Sequence, residues 1–138
     1  MNILFLCVGN SARSQIAEGL AKKMFGGDHD IQSAGSDPLG FVHIEAIEVM
    51  NNIGIDISNF VSKSIVDLEP TFMNNLDFVI TLCAEEVCPV LSTKAKALRW
   101  MHEDPANEKF IEIESKLAFK KVRDNIYNLL KKFMIDNL

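Results

Sequence analysis

Apolar residues follow two rhythms along this chain. Short runs such as Ile3 to Val8 alternate with longer stretches in which apolar side chains return every three or four residues. The first rhythm reads as buried strand and the second as helix packed on one face. Asn2–Cys7 reads as a buried parallel strand. Ser14–Phe25 reads as a helix carrying Ile16, Leu20 and Met24 at four-residue spacing, ended by Gly26-Gly27-Asp28. Asp30–Ser33 is a short second strand, and Ser36–Gly40 a loop with Asp37-Pro38 as its turn signal. Val42–Ile53 reads as a second helix with Ile44, Ile47 and Met50 on one face and Gly54 as its stop. Asp77–Leu82 and Lys96–Trp100 are the third and fourth strands. Glu108–Met134 holds a long final helix, in which Phe119, Val122, Ile126, Leu129, Leu130 and Phe133 keep the helical period.

Strands alternating with helices predict an α/β fold, a doubly wound parallel sheet of four strands. In such sheets ligands bind outside the carboxyl ends of the strands, where the segment following Cys7 lies. The 138 residues suit one domain with one core, a single catalytic domain over 1–138. No apolar run is long enough to span a bilayer as a helix. Met1 leads straight into a strand without a charged leader, so the expectation is a cytoplasmic protein with no membrane association. The net charge of −5 and the lack of a basic patch argue against nucleic acid. They also mean that an anionic substrate must be drawn by a local field.

That field has an obvious source. Cys7-Val8-Gly9-Asn10-Ser11-Ala12-Arg13-Ser14 sets a cysteine six positions before an arginine, just after the first strand and before the first helix. The N–H groups of such a loop, from Val8 to Arg13, can curl around a tetrahedral oxyanion, with the Arg13 guanidinium closing the cradle. The helix N-terminus adds partial positive charge. The same field favours thiolate at Cys7. A Ser14 hydroxyl donating to that sulfur would stabilise it and assist its departure, and Asn10 suits both side-chain bonding of the loop and left-handed backbone. An inert buried cysteine would explain neither Gly9 nor Arg13 nor Ser14.

Cys83 follows the third strand and should face the same rim as Cys7, with Cys88 close behind. Two structural cysteines near a strand end are one reading. A zinc site is weak without a fourth well-spaced ligand, since His29, His43 and His102 lie apart and read as surface or supporting residues. Asp104-Pro105 places a carboxyl on a loop that can protonate a departing oxygen, with Glu103 the competing acid.

The loop Cys7-Val-Gly-Asn-Ser-Ala-Arg-Ser-Gln15 resembles the signature of the low-molecular-weight protein tyrosine phosphatase superfamily, in the version of its arsenate reductase branch. Ser33-Ala34-Gly35, Ile55-Asp56-Ile57-Ser58, Val79-Ile80-Thr81-Leu82-Cys83 and Asp104-Pro105-Ala106 extend the resemblance over nearly the whole chain. It implies a flavodoxin-like sheet and a three-cysteine relay acting on arsenate. Cys7 is then the nucleophile, Arg13 binds the oxyanion and Asp104 is the proton donor. Cys83 attacks Cys7 sulfur, and Cys88 attacks Cys83 to leave a redox-active Cys83–Cys88 disulfide that thioredoxin reduces. Four residues separate Cys83 from Cys88, fewer than the branch commonly has. Some members bind potassium near the loop asparagine, through residues like Glu18 and Ser33 and a downstream aspartate. Lys63 stands at the aspartate's place, so no metal and no cofactor is expected, and the protein is expected to be a monomer.

A phosphatase acting on phosphotyrosine or small phosphomonoesters is the alternative, since Cys7, Arg13 and Asp104 suffice for it. Gln15 where tyrosine phosphatases usually carry proline, Ala106-Asn107-Glu108 where they carry aromatics, and the two further cysteines favour the reductase. Recycling by glutathione-type thiols stays open should Cys88 be only structural. A non-enzymatic oxyanion- or thioredoxin-binding module would leave the catalytic set unexplained.

Overall fold

The computed structural model describes residues 1–84 and 90–138. Their elements follow as β1 (Asn2–Cys7), α1 (Arg13–Phe25), β2 (Asp30–Gly35), α2 (Ile44–Asn51), a 3₁₀ turn (Ile65–Asp67), α3 (Pro70–Asn74), β3 (Phe78–Cys83), β4 (Lys96–His102) and α4 (Glu112–Asn137). The sheet order is β2-β1-β3-β4, and every pairing is parallel. The chain leaves β1 towards β2 on one side and later returns to β3 on the other. The switch point of this doubly wound α/β sheet therefore lies between β1 and β3. Cys7 and Cys83, at the ends of those neighbouring strands, share that rim.

Strand alternation sends side chains to two faces. Ile3, Phe5, Ile80 and Leu82 pack in the larger core beneath α1, α2 and α4, with Ile16, Met50, Phe119, Ile126 and Leu130. Leu4, Leu6, Ala34 and Val79 form a smaller core with Leu68 and Phe72, from the end of the 3₁₀ turn and from α3. Burying a side chain the size of Phe119 or Ile126 contributes roughly 1.5–3 kcal/mol, so α4 is held mainly by this face. Arg123 adds a bond from Nη1 to the Val49 carbonyl oxygen of α2 at 2.9 Å.

The elements differ from the sequence reading chiefly at their ends. The second helix is Ile44–Asn51 rather than Val42–Ile53. His43 is extended and caps it, and Asn52 to Gly54 turn out of it, with Gly54 at φ 79°. Ile44, expected on the buried face, is 67% exposed, and Ala46, Val49 and Met50 carry the contact. The final helix starts at Glu112 and runs on to Asn137. Its start is set by the Glu114 carboxylate, which accepts from the Ile111 N–H at 3.1 Å. Strands β2 and β4 run two residues further than their patterns suggest. The 3₁₀ turn and α3 are too short for periodicity to reveal.

Candidate active site

The segment after β1 turns its carbonyl groups outward. Val8 O accepts from the Asp37 N–H, Gly9 O from the Leu39 N–H, Ser11 O from the His43 N–H and Ala12 O from the Ile16 N–H, each at 2.9 Å. Asn10 O accepts from Gln15 Nε2 at 3.0 Å. With five successive carbonyls engaged away from the loop's centre, its N–H groups are left for the inside, and the Asn10 N–H lies 3.2 Å from Cys7 Sγ. Asn10 makes the bend possible at φ 46°, a left-handed conformation that asparagine tolerates better than most residues. Helix α1 starts from Ala12 with no side-chain cap and no acidic residue in its first turn. Its positive end is thus not neutralised from within.

Gly35 is the second requirement of this loop. A Cβ on it would overlap the Val8 carbonyl oxygen and crowd the Asn10 backbone nitrogen. These are backbone atoms that cannot swing away. Gly35→Ala is therefore expected to distort the cradle, at about 1–3 kcal/mol of stability, and to weaken binding of inorganic phosphate more than it lowers the thermal midpoint. A titration beside a melting curve checks this.

A buried polar network lies under the loop, and among the described residues only Gln15 Oε1 of its buried side-chain atoms is left without a hydrogen-bond partner. Asn10 Nδ2 donates to Ser14 Oγ at 2.7 Å and to Ser33 Oγ at 3.0 Å. Its Oδ1 accepts from Gln15 Nε2 at 3.1 Å and from the Lys63 N–H at 2.9 Å. The orientation of the amide is thereby set. Ser14 Oγ accepts the Asn10 amide N–H, so its own hydrogen is free to be donated to Cys7 Sγ, 2.8 Å away. Ser33 passes its hydrogen to Glu18 Oε1 at 2.7 Å, and Glu18 Oε2 meets the Lys22 ammonium at 2.8 Å. Asn10, Ser14, Gln15 and Ser33 are fully buried, where such a network is rigid because every broken bond would leave a stranded polar group. Gln15 also donates to the Val61 carbonyl oxygen at 3.1 Å, tying the loop to the chain that follows α2. Lys63 is half-buried beside this cluster. Burial pushes its ammonium below the ordinary value, the Glu18 carboxylate opposes that, and Lys22 adds to it.

Arg13 is buried, and its Nη1 donates to the His102 carbonyl oxygen at the end of β4, at 2.9 Å. A cavity of about 220 Å³ is lined by Cys7, the loop from Gly9 to Arg13, Leu39, His43, Asp104 and Ala106. A neighbouring cavity of about 540 Å³ reaches from Arg13 and Asp104 to Glu103 and Ala84. Asp104 borders both, Glu103 only the outer one, so Asp104 is the carboxyl that shares the small cavity with Cys7. The turn reading of Asp104 also holds, since its Oδ1 accepts from the Ala106 N–H at 2.9 Å, which leaves Oδ2 for other work.

Cys83 ends β3 almost without exposure. It is disulfide-bonded, whereas Cys7 is a free thiol. The ladder between β3 and β4 shifts register between Thr81 and Cys83, where Cys83 pairs with His102. Cys88 lies outside the described residues. Among the described residues no group of His, Cys, Asp and Glu could hold a metal ion. The histidines do separate things. His29 Nδ1 meets the N-terminal ammonium at 2.9 Å, and His102 Nδ1 meets the Trp100 carbonyl oxygen at 2.8 Å. His43 caps α2 and lines the small cavity. Its place there escaped the sequence, as did the carbonyl partners from Asp37 to Val61. Histidine is a rare cap, and backbone partners carry no residue-type signal.

Comparison with known proteins agrees over the full length. Residues 2–138 match the family model for low molecular weight phosphotyrosine protein phosphatase. The chain is 43% identical over 133 residues to the arsenate reductase of Bacillus subtilis (strain 168), covering 95% of this chain and 93% of that protein. It is similar to a solved arsenate reductase in the phosphate binding state, at 30% identity and a TM-score of 0.77 over 97% of this chain and 96% of that one. It is also similar to a thioredoxin-dependent arsenate reductase from Corynebacterium glutamicum, at 27% identity and a TM-score of 0.69, covering 98% of this chain and 62% of that one.

Proposed function

The chain belongs to the low molecular weight phosphotyrosine protein phosphatase family, and within it we propose that it is an arsenate reductase whose three cysteines hand two electrons to arsenic and are restored by thioredoxin. The observation that carries this is the free Cys7 thiol inside an oxyanion cradle, one strand away from a second, disulfide-bonded cysteine at Cys83. The similarity to reductases that act on arsenate, one of them thioredoxin-dependent, points the same way.

The loop N–H groups from Val8 to Arg13 and the Arg13 guanidinium bind the arsenate oxygens. Cys7 sulfur, its charge held by the Ser14 hydroxyl and the Asn10 N–H, attacks arsenic. An oxygen leaves as water with a proton from Asp104. Cys83 thiolate then attacks Cys7 sulfur. The electron pair of the arsenic–sulfur bond stays on arsenic, which leaves as arsenite, and a Cys7–Cys83 disulfide remains. Cys88 thiolate attacks Cys83, releasing Cys7 thiolate and forming Cys83–Cys88. The dithiol of thioredoxin reduces that bond. Arsenate and two thiols thus become arsenite, water and one disulfide. Bridged cysteines need Cα atoms within about 7 Å, so Cys83 must come that close to Cys7 and to Cys88 in turn during the cycle. Such thiol chemistry suits the cytoplasm, where thiols are kept reduced. Among the described residues no helix is long and apolar enough to cross a membrane.

The same cradle should retain some phosphatase activity. As a main function this is less well supported, because among the described residues the cavity is bordered by Leu39, His43 and Ala106 and by no Phe, Tyr or Trp that would hold an aryl ester. Arsenite production with thioredoxin, thioredoxin reductase and NADPH, set beside glutathione with glutaredoxin, tests the reading. Activity with neither system would defeat it.

Arg13→Lys keeps the charge but loses the planar fork. Losing one bond to a charged group, about 1.5–3 kcal/mol, corresponds to roughly a 10- to 150-fold fall in kcat/KM for arsenate. Steady-state kinetics unchanged in this variant would remove Arg13 from the site.

A further inference from the structure

The imidazole of His43 is held at several points, and all but one of its polar atoms are engaged. Its backbone N–H donates to Ser11 O at 2.9 Å, which couples it to the cradle itself. Its carbonyl oxygen accepts from the N–H groups of Ala46 and Ile47 at 3.0 and 3.1 Å. The ring packs on buried Phe119, with centroids 4.9 Å apart and planes inclined at 31°. Nδ1 accepts from the Glu45 N–H at 3.0 Å as the cap of α2. A backbone N–H is always a donor, so Nδ1 must present its lone pair and the ring proton sits on Nε2. That atom, on the opposite edge of the ring, makes no hydrogen bond among the described residues. His43 lines the same small cavity as Cys7, Arg13 and Asp104.

We propose that His43 is a substrate-binding residue, whose Nε2–H donates to an oxygen of the bound oxyanion at the mouth of the cradle. A neutral imidazole suits this place. It supplies a directed donor without adding a second full charge beside Arg13. The cap on α2 selects the tautomer and the packing on Phe119 fixes the ring plane, so little side-chain freedom is lost when substrate arrives. This inference deepens the oxyanion-site reading above and rests on it.

Two substitutions separate binding from capping. In His43→Asn the amide oxygen takes the place of Nδ1 and is a good cap, but no donor reaches the position of Nε2. In His43→Gln a terminal N–H reaches that far, while the cap is weakened. The probe is inorganic phosphate, titrated into the full reduced chain, with thermal midpoints recorded alongside. His43→Asn should melt like the wild type yet bind phosphate about 10-fold more weakly, and its loss in arsenate turnover should appear in KM with kcat little changed. His43→Gln should melt lower and bind phosphate nearly as the wild type does. Wild-type affinity in His43→Asn, or losses in both variants that follow the melting points, would overturn the proposal and leave His43 as a cap alone. Phosphate binding needs no electrons. A wild type that binds phosphate but makes no arsenite would therefore defeat the reductase reading while the His43 contact stands.

Discussion

Cys7→Ser is expected to reduce arsenate turnover and phosphate-ester hydrolysis alike to the uncatalysed background. Serine fits the space and the bonds to Ser14 and the Asn10 N–H. It fails as a nucleophile because a hydroxyl stays protonated where a thiol in the same field ionises. The carbonyl bonds that hold the loop open do not involve the sulfur, so the variant should still bind inorganic phosphate. A titration with phosphate beside both activity assays separates a lost nucleophile from a collapsed cradle. Substantial turnover in Cys7→Ser would place the nucleophile elsewhere.

Cys88→Ser should allow one turnover and then trap a Cys7–Cys83 disulfide. Cys83→Ser should stop earlier, at the arsenic adduct, with no disulfide to Cys7. Wild type given arsenate without thioredoxin should accumulate Cys83–Cys88. Disulfide mapping by mass spectrometry reads all three states. Both substitutions should abolish steady-state arsenite production with thioredoxin while leaving most hydrolysis of p-nitrophenyl phosphate, because that reaction asks nothing of a second thiol. This contrast distinguishes the relay from a phosphatase with incidental cysteines. If Cys83–Cys88 never appears and Cys88→Ser still turns over with thioredoxin, the relay is wrong, and the short spacing between the two cysteines is the first place to look.

Much of this protein is written locally in its sequence. The alternation of Ile3 and Phe5 with Leu4 and Leu6 determines that β1 is buried on both faces, and the spacing of Phe119, Val122, Ile126 and Phe133 determines which side of α4 meets the sheet. Backbone geometry enforces both periods wherever the segment lies, so neither needs a partner to be recognised. The loop from Cys7 to Ser14 belongs to the same class. Its cysteine, arginine and serine are near neighbours in the chain, and a strand on one side with a helix on the other leaves few shapes for it. Tertiary structure decided the rest. The carbonyls of Val8, Gly9 and Ser11 are turned outward by N–H groups of Asp37, Leu39 and His43, which lie about 30 residues on. Asn10 takes a bond from the backbone of Lys63, and Arg13 is anchored by the carbonyl of His102. The cavity that Asp104 shares with Cys7, and that Glu103 does not border, became visible only in the fold, and the exposure of Ile44 only once α2 was placed against α4. These are bonds from backbone atoms, or consequences of which elements become neighbours. Backbone groups are the same in every residue type, and a sequence records side chains, so the partners of the cradle became visible only when the chain had folded around it.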